Sequence, residues 1–316
     1  VLVLAVQLVV LIVVLGCCAG PSLDGAAFPR SHPASAVLCW TGAILGLWAS
    51  LFGLVTLVLF WPPAAGHGFA ELLSTCLTPH HHRGLLWGAL ASCAVAVLCS
   101  VRLSRGVPRA WRTVRSRRRH RSMLGLVARA DDRHPDVLLL DHPLPVAYCL
   151  PAGARSIVIS SGARSGLAPD ELAAVLAHER AHLRQRHHAL LMLLDLSHAA
   201  LPWLPTLRRA AATVPLLLEM AADDAAVRRH GPRTVRSALE RLTLLPGPSG
   251  TLAATGPTSA DGPAEDRPLT HRLARLDDPP RTGRLARPLA RAAAIASVAA
   301  PLAAVALTIA AIPPAC

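Results

Sequence analysis

His178, Glu179 and His182 stand at HExxH spacing. On a helix, residues i and i+4 share a face. Both imidazoles can then reach one zinc ion, and the Glu after the first His can reach a water held by that ion. Zinc lowers the pKa of such a water to about 7, which makes hydroxide available at neutral pH. The chemistry such a site would do is hydrolysis, with Glu179 as the expected general base. The alternative is a helix whose histidines are only packed or solvated. The position of the motif, inside an expected helix and after three short strands, weighs against it.

A catalytic zinc usually keeps three protein ligands and a water, so one more ligand is required. The downstream candidates are His187, His188, His198, Glu219, His230 and Glu240. His187 and His188 continue the same expected helix and rotate away from the zinc face at about 100° per residue. They are expected to meet substrate or a neighbouring carboxylate. His198 lies in an apolar helix, where a core or interface role is commoner. His230 precedes Gly231-Pro232, where a basic residue suits a helix end. Glu240 has Leu244 one turn later, whereas Glu219 has Asp223. A carboxylate one turn on can hydrogen-bond a ligand and fix its orientation. Glu219 is therefore expected as third metal ligand, with Asp223 behind the metal site.

Several elements must position these groups. Val137–Asp141, Ala147–Leu150 and Ile157–Ser160 are apolar or β-branched with Pro and Gly between them, and predict short strands. Pro169-Asp170-Glu171 opens the HExxH helix, since Pro and acids suit a first turn. Ala189–Leu201 predicts a core helix or one on the membrane face. Pro215–Arg229 predicts another helix, and Leu269–Leu276 a short one. The stretch 246–268 is rich in Gly, Pro, Ser, Thr and Ala and predicts a flexible loop. Such loops are favoured sites of nicking.

Apolar runs at about 1–19, 37–61, 85–101 and 292–312 approach the ~20 residues that cross a hydrocarbon core. The first also reads as a signal peptide, with Val14–Cys17 faintly like a lipobox, although no basic region precedes it. Val1 is not Met, which leaves the true start open. The 316 residues are 53% hydrophobic and only 16% charged, whereas a soluble domain carries about a quarter charged residues. Part of the chain is thus expected in lipid. All 32 basic residues are Arg, and the net charge is +13. Nine Arg lie between Arg102 and Arg121, and Arg281, Arg284, Arg287 and Arg291 precede the last run, whereas the loop 62–84 holds only Arg83. The positive-inside rule puts both Arg-rich flanks in the cytoplasm. The expected organisation is three spans in 1–101, a cytoplasmic catalytic domain in 102–291, and a last span in 292–316.

The Arg-rich stretch 115–121 suits nucleic acid in composition, but it adjoins a span. Anionic lipid is the expected partner, worth about 1 kcal/mol per Arg near the surface, and direct nucleic-acid binding is not expected. His80–His82 reads as a solvated loop. The eight Cys form no CxxC pair and predict no disulfide framework; Cys76 and Cys316 could meet outside the membrane.

The segments Ala147-Tyr-Cys-Leu-Pro151, Leu172 to Leu183, Leu201-Pro-Trp203, Glu219 to Ala226 and His271 to Leu276 carry a family resemblance. Together, over roughly residues 102–290, they resemble integral-membrane zinc metallopeptidases of the BlaR/MecR type and the related HtpX and CAAX-processing proteases. The resemblance implies a cytoplasmic α+β gluzincin domain, a small sheet plus the HExxH helix, on an α-helical membrane protein. It implies Zn2+ as the cofactor, with His178, His182 and Glu219 as ligands. It also implies that the strand Ala147, Tyr148 and Cys149 is the edge against which an extended substrate pairs. Sensor-transducers of this type carry a penicillin-binding sensor after the protease; none is expected here, nor direct β-lactam sensing. The expected activity is endopeptidase cleavage of a cytoplasmic or membrane-proximal protein, with a transcriptional repressor as the attractive substrate. Self-cleavage, where it occurs, is expected in 246–268. A quality-control or prenyl-protein-processing protease is the enzymatic alternative, and an inactive membrane scaffold the non-enzymatic one. Oligomeric state is open.

Overall fold

A computed structural model describes residues 2–25, 31–60, 83–150, 156–244, 266–278 and 286–310. Cys76, His80–His82 and Cys316 fall outside these residues, as does nearly all of the stretch expected as a flexible loop.

The chain starts in helix α1 (Leu2–Val13), passes a π turn (Val14–Cys18) and continues in α2 (Ala19–Gly25). Helix α3 (Pro33–Phe60) has Pro in its first turn, where the missing N–H costs nothing. Helix α4 (Arg83–Val127) runs unbroken from the third apolar run into the Arg belt. The expected boundary at 101–102 thus lies within one helix. The last helix among the described residues, α11 (Ala286–Ala310), holds residues 292–310 of the fourth apolar run. Among the described residues, Leu4–Asp24 and Pro33–Leu57 are long and apolar enough to cross a membrane, and Pro288–Ala303 is a shorter apolar stretch.

These helices pack through small residues. Gly42 and Gly46 of α3 lie against α11, and a Cβ on Gly42 would stand 2.6 Å from Ala294 Cα. This spacing of two glycines four apart lets backbones approach closely, the usual device of helices in lipid.

The three expected strands form. They are β2 (Val137–Leu140), β3 (Ala147–Cys149) and β4 (Ile157–Ser160), joined by a two-residue β1 (Arg129–Ala130) too short to show in the sequence pattern. The order is β1-β2-β4-β3, with β2 and β4 parallel and the other pairs antiparallel. Strand β4 is central and buried on both faces, which its continuous apolar run requires. On one face Ile157, Ile159, Val137, Ala147 and Cys149 pack on Leu172, Leu176 and Leu183. On the other, Val158, Leu138, Leu140 and Tyr148 pack on Leu124, near the end of α4. Strand β3 is an outer strand of the sheet.

After a short α5 (Ser161–Gly166) come α6 (Pro169–Arg184), α7 (His187–Ala200), α8 (Pro205–His230), α9 (Pro232–Leu244) and α10 (Asp266–Asp277). Two expectations are corrected. Helix α8 starts at Pro205 rather than Pro215, and Pro215 lies inside it. Both prolines suit a first turn, and burial of Ala210, Val214, Leu217 and Leu218 around Pro215 offsets the lost hydrogen bond. The expected loop end at 266–268 is already helical in α10.

One apolar core joins the first helices to α7 and α8. Leu15, Val37, Trp40, Ile44 and Leu47 pack with Leu194 and Leu201 at the α7–α8 hairpin and with Leu207, Val214 and Leu217 of α8. Trp48 Nε1 donates to Ser197 Oγ at 2.9 Å.

Candidate metal centre

Helix α6 is anchored at its start. Ala168 has no side-chain oxygen to cap the helix, but Glu171 Oε2 accepts the Ala168 N–H at 2.8 Å, half of a capping box. Glu171 Oε1 accepts from Ser237 Oγ at 2.5 Å and pairs with Arg241 Nε at 3.2 Å, both on α9. Ala174, Ala177 and Ala181 are buried, and His178 and His182, one turn apart, lie on the flank of that buried face.

The next strong feature is the break after Arg184. Arg186 takes φ 53°, the left-handed region that a non-glycine residue seldom occupies. The chain turns there and α7 begins at His187. His187 is therefore not on the same helix as His182, contrary to the sequence reading. It folds back, and its Nδ1 lies 2.8 Å from His182 Nδ1.

Helix α8 brings its carboxylates to α6. Glu219 Oε2 is 3.4 Å from His178 Nε2, and Oε1 is 3.4 Å from His182 Nε2. The two Nε2 atoms are 3.0 Å apart. Zinc bonds of about 2.0–2.1 Å at tetrahedral angles place ligand atoms about 3.3–3.4 Å apart. The two nitrogens and the Glu219 carboxylate thus form a face close to the size that ion needs. Among the described residues, His178, His182 and Glu219 are the group with metal-ligand geometry; His187, His188, His198, His230 and Glu240 are outside it. Glu240 instead pairs with Arg236 at 2.9 Å.

Behind the donors lies a second layer. Asp223 Oδ1 is 3.0 Å from His178 Nδ1. Arg272, from α10, donates Nε–H and Nη2–H to Asp223, each at 2.8 Å, and its Nη1 lies 3.2 Å from Glu219 Oε2. The neighbouring Arg275 pairs with Asp224. The sequence reading gave this region only as a short helix, Leu269–Leu276, and gave Arg272 no role.

The electrostatics follow from this layout. Burial alone would lower His178, but hydrogen bonds to Asp223 and Glu219 and their charge raise it to about 10. Burial also opposes ionisation of Glu219, yet His178 and Arg272 hold it down at about 2. Burial, aided by the charge of His178, lowers His182 to about 3 against the pull of Glu219, so it is neutral at pH 7. A neutral imidazole and an ionised carboxylate are the forms that bind a metal. The field that favours a proton on His178 also favours a cation before its Nε2.

Glu179 is adjacent to this face. Burial, with the charge of Glu219, raises its carboxyl above the usual range although His178 opposes. The thiol of Cys149, on β3, hydrogen-bonds Glu179; burial first and then the Glu179 charge push that thiol up. Ala147 and Cys149 face α6, whereas Tyr148 points to the other face, where its hydroxyl is 2.9 Å from His120 Nε2 on α4. The chain thus brings together His178, Glu179, His182, Glu219, Asp223 and Cys149.

Residues 113–214 match the sequence model of peptidase family M48, and M48 peptidases are zinc-dependent. The matched stretch contains the sheet, the whole of α6 and α7, and stops short of Glu219. It supports a metallopeptidase and does not single out the BlaR/MecR type. No solved structure matches the chain.

Proposed function

We propose that this protein is a membrane-anchored zinc endopeptidase that cleaves an extended segment of a protein on the cytoplasmic side. The observation that carries the reading is the triangle of His178 Nε2, His182 Nε2 and the Glu219 carboxylate, with edges of 3.0–3.4 Å. Its donor types and dimensions fit Zn2+. When bound there, zinc acidifies a water and polarises a carbonyl oxygen.

The chain's own residues supply the rest. Glu179 takes the proton from the attacking water and passes it to the leaving amine. Its raised carboxyl suits this work, since a general base is most effective with a pKa near the working pH. Asp223 accepts the Nδ1–H of His178 and holds the ring so that Nε2 faces the ion. Strand β3 lies at the sheet edge beside α6, so an extended substrate can add to Ala147–Cys149 by main-chain hydrogen bonds. Such pairing fixes the scissile bond and depends little on side chains.

Membrane attachment rests on the two apolar helical stretches and on the Arg distribution. Helix directions support a metal centre on one side of the membrane, and the Arg distribution is what reads that side as cytoplasmic. At the end of the first stretch, Asp24 bonds Arg209 and Thr213 of α8. At the start of the second, Pro33 shares a small cavity with Ala221 and Asp224. Both ends therefore approach the metal-centre side. Arg112, Arg115, Arg118 and Arg119 are exposed along α4 and suit anionic lipid headgroups. Within the BlaR/MecR resemblance, a cytoplasmic repressor is the narrowest substrate reading.

The test uses the full chain in detergent. Stoichiometric zinc and hydrolysis of an unstructured protein, both removed by a chelator and restored by Zn2+, are expected. A protein that binds no zinc, or that holds zinc and hydrolyses nothing, would overturn the reading.

A further inference from the structure

His187 is 1% exposed and is among the largest fully buried side chains. Buried polar side chains are nearly always hydrogen-bonded, and the two partners of His187 are informative. Its Nδ1 lies 2.8 Å from His182 Nδ1, and its Nε2 lies 3.1 Å from Gln185 Oε1. The rings of His182 and His187 stand edge to face, 88° apart.

Two facing ring nitrogens form a hydrogen bond only when one carries the proton and the other does not. His182 Nε2 faces His178 and Glu219. A neutral imidazole that offers Nε2 as a ligand carries its proton on Nδ1. His187 Nδ1 must then accept, which leaves the His187 proton on Nε2, where it points to the Gln185 oxygen. Every donor in the chain His182–His187–Gln185 finds an acceptor in one tautomer set.

The backbone is built to make this contact. In a continuous helix, five residues at about 100° each would turn His187 roughly 140° from His182. The left-handed Arg186, at φ 53°, ends α6 and returns the chain beneath His182. Such a conformation costs on the order of 1–2 kcal/mol for a residue with a Cβ, so the contacts of His187 and the rest of α7 must offset it.

We propose that His187 is a positioning residue of the metal centre, which fixes the tautomer and ring plane in which His182 presents Nε2. The inference rests on the reading of His178, His182 and Glu219 as zinc ligands. The two histidines are then backed differently. His178 has the carboxylate of Asp223, and His182 has a neutral imidazole that orients it without adding charge.

The test compares His187→Leu and His187→Asn in the full-length protein, with zinc affinity measured by competition with a chelating dye. Asn keeps an acceptor near the position of Nδ1; Leu keeps bulk and loses the acceptor. His187→Leu is expected to weaken zinc binding about 10–100-fold, and His187→Asn to bind close to the parent. Equal affinity in the Leu variant, or an equal loss in both, overturns the inference while leaving the zinc reading intact. A parent that holds no zinc overturns both. Should His187→Leu fail to fold, Gln185→Leu at an exposed position serves instead: it is expected to weaken zinc binding by less, and no change overturns the inference.

Discussion

Arg272 donates to both oxygens of Asp223 at 2.8 Å and thereby ties α10 to the acidic layer behind the metal donors. Asp223 is 2% exposed, and Arg272 also pairs with Glu219. Removal of one partner of a buried ion pair costs roughly 3–5 kcal/mol when the other is left unpaired; Asp223 keeps His178, so the cost here lies below that. Arg272→Met is expected to lower the melting temperature and the zinc affinity together. Arg272→Lys should recover only part, because an ammonium cannot make the bidentate contact. Thermal melts and zinc titrations of the two variants check this; an Arg272→Met protein with parental stability and affinity would show the pair to be incidental.

Glu219→Ala is expected to lose zinc, since only two protein donors remain. Asp223→Asn should weaken zinc binding about 10–100-fold without abolishing it. Metal analysis of the purified variants decides. Stoichiometric zinc in Glu219→Ala, with loss in Glu240→Ala, would place the third donor elsewhere, although Glu240 is engaged with Arg236.

Glu171 makes part of the stability pH-dependent. Burial opposes its ionisation, but hydrogen bonds from Ser237 and the Ala168 N–H and the charge of Arg241 lower it below its ordinary 4.5. A carboxyl depressed in the folded state stabilises fully above its unfolded pKa, and the contribution fades as pH falls through the folded value. Glu171→Gln should therefore be less stable than the parent at pH 7, by about 2 kcal/mol. The gap should close as pH falls below 4.5. Melting temperatures of both proteins across that range measure it; a gap that is constant with pH would mean that the ionised form of Glu171 contributes nothing.

The parts of this centre that were legible in the sequence share one property: their geometry is local. HExxH and ExxxD each place two groups one turn apart, so a helix period suffices to align them. Short strands between Pro and Gly were equally legible. Arg272 was not, because it lies 49 residues from Asp223 and no helix period relates them. His187 was misread for a different reason. The helix was expected to continue, and the left-handed residue that ends it is Arg186, not the Gly or Asn that would signal such a stop. The core shared by α3 and α8 was hidden as well, since the apolar residues of α3 satisfy both a membrane span and a protein interface.

The cytoplasmic placement can be tested by thiol labelling of intact cells, in a background freed of native cysteines. Ser156 is a poor reporter because it is 8% exposed. Ser165 is exposed on α5 and is the better position. An impermeant reagent added outside should miss a thiol at Ser165 and label one at Ser74. The opposite pattern would invert the topology and remove the basis for a cytoplasmic substrate.

Glu179 is adjacent in sequence to the ligand His178 but is outside the three-residue donor group. Its proposed role is to receive and return a proton, and it holds no metal. Gln has the same shape, accepts a hydrogen bond through its oxygen, and cannot take up a proton under these conditions. The Cys149 thiol can still donate to that oxygen, so the local packing should survive. Glu179→Gln is therefore expected to keep its zinc and to lose at least about 10²-fold in peptidase activity. Zinc analysis and a protein-hydrolysis assay on the same preparation separate the outcomes. Loss of both metal and activity would mean that Glu179 helps to hold the ion, directly or through the fold. Retention of zinc with full activity would assign the proton transfer to another group and remove Glu179 from the mechanism.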